Sequence, residues 1–278
     1  MCFALTKATP LPTMPAATTS ARAKKRVPAA PVKARKPSTR VATRARAPAG
    51  AAKTGRAAKV AAKTTLTLSS KNYSSWSMRG WLLAKFAGID FTEVMVSPDD
   101  ADARKELLLL APSIRVPCLS HEGATVWNTL AIAQYLNEVV PTAGLMPADR
   151  IARAHCRSVS GEMKSGFANL RASLPMNLKA HYPKHRIWGG AKPDIERVVE
   201  IWTDCLAKYG GPFLFGKQRG MADAMFAPVV TRFLTYDVAL DATCKRYCET
   251  IMAMPEMGEW VAAAKSEPDD IAELDMEF

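Results

Sequence analysis

The stretch NYSSWSMR, residues 72–79, separates a short strand from a long apolar helix and determines how the chain is expected to fold. Before it, Thr65–Leu68 alternates polar and apolar residues with a period of two, which predicts a strand. After it, an apolar run predicts a helix from about Ser77 to Ala87 that ends at Gly88. Several hydroxyl groups therefore cluster at a helix N-terminus, where free N–H groups and the helix dipole favour an anion such as a thiolate.

Charge is divided unevenly along the chain. Residues 1–64 hold 15 of the 38 Lys and Arg residues and none of the 26 Asp and Glu residues, so this tail carries +15 and the remainder −3, against +12 for the whole chain. A tail rich in Ala, Pro, Thr and basic residues cannot bury enough apolar surface to offset the entropy of ordering, so we predict that it is disordered. Three roles for it stay open: an inessential extension, weak contact with nucleic acid or another polyanion, and an organelle transit peptide.

Composition also excludes several classes of protein. No apolar run reaches the roughly 18 residues that predict a membrane span, and Pro10, Pro12 and Pro15 interrupt the region where a signal peptide needs an apolar core. The six cysteines show no zinc-binding spacing, which favours reduced thiols. We therefore expect no metal, no membrane contact and a cytoplasmic protein, or an organelle-matrix protein if the tail is a transit peptide.

Two units are predicted after the tail. The first has the order β-α-β-α-β-β-α, with its later elements at 91–96, 101–110, 116–119, 125–127 and 128–139. The second is almost entirely helical, with segments at 148–174, 193–209, 222–240, 244–254 and 257–266. The pattern predicts an α/β unit followed by an all-α unit.

Four motifs, in this order, resemble the cytosolic glutathione transferase family. SSWSMR at 74–79 is similar to the zeta-class turn Ser-Ser-Cys-Ser-x-Arg, with Trp76 in the place of the cysteine. RVPCL at 115–119 resembles the family's Val-Pro-x-Leu, whose proline is cis. WNTLAI at 127–132 resembles Glu/Asp-Ser-x-Ala-Ile, and GMADA at 220–224 resembles the Ser/Thr-x-x-Asp capping box.

The resemblance covers residues 65–278. It implies a thioredoxin-like, glutathione-binding domain at 65–141 and an all-helical domain at 148–278. It also implies a homodimeric enzyme that activates the thiol of its co-substrate glutathione for attack on small electrophiles. Two alternatives stay open: a zeta-like, glutathione-dependent cis–trans isomerase, and a non-catalytic transferase-like module whose basic tail binds polyanions.

The resemblance places the catalytic hydroxyl in the serine turn. Ser74 is preferred in the zeta-like register, Ser75 in a register where the arginine lies four residues after the donor, and Tyr73 is a third candidate; Ser77 is expected to cap the helix. Lowering the pKa of a thiol by two units needs about 2.7 kcal/mol, which a charge-assisted hydrogen bond at a helix terminus can supply. Trp76 is expected to line the acceptor pocket.

The same resemblance assigns the remaining contacts. Arg115 would meet the glycine carboxylate of glutathione or solvent, and the backbone of Val116, before Pro117, would pair with the cysteinyl part. Asn128 and Thr129 would hold the γ-glutamyl end at a helix N-terminus, although Asn128 replaces an acidic residue that could pair with the ammonium group. Further lining residues are expected on the second unit. They are Met163 and Phe167, with Arg171 or Asn177 as polar contacts.

Overall fold

Within its described residues, the first unit is a four-stranded mixed sheet with two helices. A computed structural model describes residues 64–96 and 116–268, so the helix predicted at 101–110, the tail up to residue 63 and Arg115 lie outside the described residues. The elements are β1 Thr65–Leu68, α1 Ser75–Ala87, β2 Thr92–Met95, β3 Cys118–His121, β4 Ala124–Trp127 and α2 Thr129–Val139. The strand order is β2-β1-β3-β4, with β1 parallel to β2 and antiparallel to β3, and with β3 and β4 forming a hairpin.

The second unit is built of helices. They are α3 Arg150–Ser165, α4 Ala168–Ser173, α5 Lys192–Tyr209, α6 Met221–Thr235, α7 Ala242–Met252 and α8 Pro255–Ser266, with 3-10 turns at Pro141–Ala143 and Gly189–Ala191. Helix α6 is buried along almost its whole length and packs against both α1 and α3. One hydrophobic core therefore joins the sheet unit to the helices, and the predicted fold class is confirmed. Across the described stretches, no helix is both long and apolar enough to cross a bilayer.

Helix α1 begins two residues earlier than predicted. Ser74, rather than Ser77, is its N-cap: the backbone is extended at Ser74, and its side-chain oxygen accepts a hydrogen bond from the N–H of Ser77 at 3.3 Å. The prediction that Ser77 caps the helix was wrong because the side chain of Ser77, fully buried, turns back to the strand and accepts the N–H of Ser69 at 3.0 Å. Gly88 ends the helix in the left-handed conformation, as predicted.

The long helix predicted over 148–174 is divided into two. Gly166 is extended and Phe167 has a positive φ of 58°, so the hydrogen-bond ladder breaks between α3 and α4. The carboxylate of Asp194, on α5, accepts the N–H of Leu170 at 2.9 Å at the start of α4. A partner on another helix thus stabilises the new start, which periodicity along one segment does not reveal.

Helix α6 has the predicted acidic cap. The carboxylate of Asp223 accepts the N–H of Gly220 at 2.9 Å, and its other oxygen accepts the Leu214 N–H at 3.0 Å and the Tyr247 hydroxyl at 3.1 Å. Burial raises the pKa of Asp223 to about 6. The helix ends earlier than predicted because the chain turns through Asp237, where φ is 50°.

Candidate active site

The serine turn forms a small hydroxyl network at the start of α1. The hydroxyl of Ser74 donates to the Oγ of Ser77 at 2.9 Å, and the Oγ of Ser69 lies 3.3 Å from the same atom. The N–H of Ser74 donates to the carbonyl of Ser70 at 3.0 Å, which closes the loop before the helix. The hydroxyl of Ser74 is therefore held at the positive end of the helix dipole, where a negatively charged sulfur would be stabilised.

The two candidate serines differ in access. Ser74 is half-buried, whereas Ser75, the first residue inside the helix, is buried. The carbonyl of Ser75 accepts a hydrogen bond from Arg79 at 3.3 Å, so this residue is engaged with the helix interior. Neither serine lines the cavity beside Trp76, so the choice between them as donor stays a prediction.

A cavity of about 490 Å³ lies beside the serine turn. Its lining brings together residues from four separate parts of the chain: Trp76, Val116, Pro117, Trp127, Asn128, Thr129 and Lys164. Five of these were predicted as site residues and meet here, while Trp127 and Lys164 were missed. A larger cavity of about 580 Å³ involves residues 141–148 and 215–223 and shares no lining residue with this one.

The N-terminus of α2 combines a side-chain cap with a buried hydroxyl that has no partner among the described residues. Asn128 caps the helix by accepting the N–H of Leu130 at 3.0 Å, and its backbone has a positive φ of 77°, a strained conformation for a residue with a side chain. The next residue, Thr129, is buried, and its hydroxyl has no hydrogen-bond partner within the described part of the chain. A buried hydroxyl without a partner costs free energy, so a ligand that bonded it would be favoured.

The Val116–Pro117 peptide bond is cis, as predicted. Pro117 packs directly on α1: a Cβ added at Gly80 would lie 2.5 Å from two carbon atoms of the proline ring. A glycine at this position therefore lets the proline loop approach the helix that carries the serine turn. Val116 and Pro117 both line the cavity.

Two arginines, Arg79 and Arg171, lie close to the indole ring of Trp76, and the charge of a third, Arg232, acts on Arg79. The guanidinium of Arg79 lies 4.5 Å from the centre of the indole ring and that of Arg171 lies 5.8 Å from it. Burial lowers the pKa of Arg79 well below its usual value, and the charges of Arg232 and Arg171 lower it further. Burial also lowers the pKa of Arg232, to about 10. This side of the turn is electropositive, and an anion there would relieve the mutual repulsion.

Other predicted pocket residues lie elsewhere. Met163 is fully buried and Phe167 nearly so, both inside the hydrophobic core, and Tyr73 precedes the turn outside the cavity lining. Met163 continues the buried stripe of α3 that includes Cys156 and Val159, so its side chain points into the core. Lys164 could have been found from the same pattern: it directly follows Met163 on the helix, so its side chain faces away from the core.

The described cysteines are unsuited to nucleophilic chemistry. All five are buried and free. Burial raises the pKa of each thiol, to about 12 for Cys156, Cys205 and Cys248. At neutral pH such groups stay protonated, so the cavity offers hydroxyls rather than a cysteine thiolate.

Comparisons with known proteins agree with this architecture. The glutathione S-transferase N-terminal domain model matches residues 73–139, and the C-terminal domain model matches residues 165–263. The probable maleylacetoacetate isomerase of Caenorhabditis elegans is 28% identical over 186 residues, which are 65% of this chain and 85% of that protein. Glutathione S-transferase L3 of Arabidopsis thaliana is 23% identical over 213 residues, 72% of this chain and 81% of that protein.

A solved structure has the same fold. A glutathione transferase homologue from Burkholderia GL BGR1, crystallised with bound glutathione, superposes with a TM-score of 0.56 at 25% identity, over 73% of this chain and 99% of that one. The two domain models together match more than half of the chain, in the order that the fold requires. The chain therefore belongs to the glutathione S-transferase family.

Proposed function

We propose that the protein is a glutathione transferase in which the hydroxyl of Ser74 stabilises the thiolate of glutathione for attack on small electrophiles. The observation that carries this proposal is the cavity itself. It is bounded by Trp76 of the serine turn, by Val116, and by Thr129, whose buried hydroxyl has no partner in the described stretches. A ligand with a carboxylate at one end and a thiol at the other would use both helix termini.

Glutathione would occupy the cavity in one direction. Its γ-glutamyl carboxylate would accept the hydroxyl and N–H of Thr129, the first residue of α2. Its cysteinyl part would pair with the backbone of Val116, and its thiol would point to the start of α1. The related Burkholderia protein was crystallised with glutathione, which supports this ligand.

The chemistry follows from the serine turn. A free thiol has a pKa of about 8.5, so only a few per cent is ionised at neutral pH. Rotation of the Ser74 hydroxyl from Ser77 to the sulfur exchanges a neutral hydrogen bond for a charge-assisted one, and it releases the thiol proton to solvent. The thiolate then attacks the electrophile, and either the leaving group departs or the adduct takes up a proton.

Calorimetric titration with glutathione tests the proposal directly. We expect binding in the millimolar range or tighter, accompanied by proton release, which repeated titrations in buffers of different ionisation enthalpy would detect. Thiolate formation would also appear as ultraviolet absorbance. An absence of binding at millimolar glutathione would contradict both enzyme functions and favour a non-catalytic module.

A second function is favoured by the arginine cluster. Relatives named maleylacetoacetate isomerase act, by that name, on an acidic substrate. Arg171 lies beside Trp76, and its Nε is buried without a partner among the described residues. Such a group would attract a carboxylate on the acceptor, so glutathione-dependent cis–trans isomerisation is the second candidate. The thiolate would add to the double bond, the carbon–carbon bond would rotate, and elimination would regenerate the thiolate.

Product analysis separates the two functions. With an acidic cis-alkene, isomerisation yields the trans-alkene and leaves the amount of glutathione unchanged, whereas conjugation consumes one glutathione per turnover. If the acceptor carries a carboxylate, Arg171→Met should reduce kcat/KM for the acid by about tenfold or more and affect its neutral ester less. Arg246→Met, on the exposed face of α7, is the matched control. Equal loss for acid and ester would contradict a carboxylate contact.

A further inference from the structure

The loop before α1 is held by a residue from the other end of the described chain. Glu267 follows α8, and one of its carboxylate oxygens accepts the N–H of Lys71 at 2.5 Å. The other oxygen accepts the hydroxyl of Ser70 at 2.8 Å and the N–H of Asn72 at 3.1 Å. A single carboxylate therefore binds three consecutive residues of the loop that leads to the serine turn.

Helix α8 supports the same loop from a second point. The indole N–H of Trp260 donates to the carbonyl of Lys71 at 3.0 Å, and the ammonium group of Lys71 lies 5.3 Å from the centre of that indole ring. Lys71 also pairs with Glu93 on β2 at 2.6 Å. The ammonium group of Lys179 donates to the carbonyl of Glu267 at 2.8 Å, and this hydrogen bond restrains the backbone of Glu267.

Hydrogen bonds connect the Glu267 carboxylate to Ser74, the proposed donor. The Oγ of Ser70, which donates to Glu267, accepts the N–H groups of Asn72 and Tyr73, each at 3.2 Å. The carbonyl of Ser70 accepts the N–H of Ser74 at 3.0 Å. Ser70 therefore contacts both the Glu267 carboxylate and the backbone of Ser74.

The amide of Asn72 anchors the loop to the helical unit as well. Asn72 is almost fully buried, and its Oδ1 accepts the N–H groups of Leu178 at 2.6 Å and Lys179 at 3.1 Å. Its Nδ2 donates to the Oδ1 of Asn177 at 3.1 Å. These contacts hold Asn72, in the middle of the loop. The start of the loop, at Ser70 and Lys71, is held by the Glu267 carboxylate.

We propose that Glu267 is a positioning residue for the reaction: its carboxylate holds residues 70–72 so that the Ser74 hydroxyl stays at the N-terminus of α1. Charge-assisted hydrogen bonds from two backbone N–H groups and one hydroxyl are stronger than neutral ones, and together they restrain a segment that has no regular secondary structure. The role in catalysis rests on the proposed glutathione transferase function, whereas the restraint of the loop does not.

Hydrogen–deuterium exchange of the full chain tests the restraint without any substrate. In Glu267→Ala we expect backbone amides within residues 69–74 to exchange about tenfold faster or more. The loop of this variant can open without breaking hydrogen bonds to a carboxylate. Glu259→Ala is the matched control: it removes a carboxylate from α8, the helix that precedes Glu267, where it pairs with Lys85 at 2.8 Å, and it should leave this exchange unchanged. Unchanged exchange in Glu267→Ala would overturn the proposal.

Kinetics test the positioning role. In Glu267→Ala we expect kcat to fall about tenfold and the apparent pKa of the pH–rate profile to rise, since a displaced Ser74 stabilises the thiolate less. The KM for glutathione should change about threefold or less, because the γ-glutamyl end is bound at α2. Faster exchange combined with an unchanged kcat and pH profile would overturn the positioning role.

A conservative variant guards against general unfolding. Glu267→Gln keeps an oxygen that can accept the Lys71 N–H and an amide that can donate to the Ser70 Oγ, but its NH2 group cannot accept the Asn72 N–H, so exchange and kcat should fall between those of wild type and Glu267→Ala. Exchange in Glu267→Gln as fast as in Glu267→Ala, although both melt as wild type does, would contradict a restraint by these hydrogen bonds. Failure of the wild-type protein to bind glutathione would overturn the proposed function, while the exchange result would still decide whether the loop is clamped.

Discussion

A single hydroxyl distinguishes the N-terminus of α2 from an ordinary helix start. Thr129 is buried, lines the cavity and has no hydrogen-bond partner for its Oγ1 among the residues described. Thr129→Val keeps the shape and removes an unsatisfied polar atom. We therefore expect the variant to be at least as stable as wild type, yet to bind glutathione about tenfold more weakly.

Calorimetry and thermal unfolding of Thr129→Val measure these two effects together. The matched control is Thr125→Val, at an exposed position on β4, which should change neither quantity. Unchanged glutathione affinity in Thr129→Val would show that the γ-glutamyl carboxylate does not use this hydroxyl.

The serine turn yields a second prediction at the scale of single residues. Ser74→Ala should slow conjugation about tenfold or more, because the half-buried Ser74 hydroxyl is the proposed donor to the thiolate at the start of α1. It should also cost about 1 kcal/mol of stability, since Ser74 is the N-cap of α1. Ser75→Ala should affect the rate less. Steady-state rates and melting curves check both variants, and the reverse order of rates would assign the donor to Ser75.

Helix α1 and the proline loop are in close contact at Gly80. Gly80→Ala places a methyl group 2.5 Å from Pro117, so we expect a loss of about 1–3 kcal/mol despite the better helix propensity of alanine. Glutathione binding should weaken as well, because Pro117 lines the cavity. Gly161→Ala on α3 is the control: its added Cβ meets no atom within 4 Å, and it should stabilise the protein by about 1 kcal/mol or less. Urea unfolding and calorimetry compare the pair.

The helix caps predict how stability varies with pH. Burial raises the pKa of Asp223 to about 6, above the ordinary value of an aspartate, so the folded chain binds more protons there than the unfolded chain. Its contribution to the free energy of unfolding is fully present below the unfolded pKa of about 4 and falls by roughly 3 kcal/mol as the pH rises through about 6. Urea unfolding over this range should show that Asp223→Asn removes this decline.

The cap of α7 provides a control of opposite sign. Hydrogen bonds from the N–H groups of Cys244 and Thr243 lower the pKa of Asp241. Its contribution is therefore present above the pKa of the unfolded chain and is lost as the pH falls. Asp241→Asn should remove that loss at low pH, and it should leave the decline assigned to Asp223 in place. A difference between wild type and Asp223→Asn that does not vary with pH would contradict the assignment.

At the scale of the whole molecule, one core includes residues of both units. Buried side chains of α1, α3 and α6 belong to it. The basic, acid-free composition of residues 1–64 predicts a tail that does not join such a core, so we predict that a chain lacking residues 1–64 has the thermal stability and glutathione affinity of the full chain. Melting curves and titrations of the two chains provide the test. A large loss of stability on deletion would contradict the prediction that the tail contributes nothing to folding.

The sequence by itself determined the order of the described elements, the change from an α/β unit to a helical one and the four family-like motifs. These features depend on hydrophobic period, Gly and Pro stops and acidic caps, all of which act over a few neighbouring residues. Asp223 as a cap and Gly88 as a helix end could be predicted for this reason. The same reasoning placed Trp76, Val116 and Thr129 in one site only because the resemblance supplied the fold.

Only the tertiary structure decided how side chains are partnered. It made Ser74 rather than Ser77 the helix cap, left the Thr129 hydroxyl without a partner among the described residues, and placed Lys164 rather than Met163 at the cavity. It also brought Glu267 to a loop 195 to 197 residues away. Periodicity records which face of an element is buried, whereas the partner of a polar group depends on how distant elements pack.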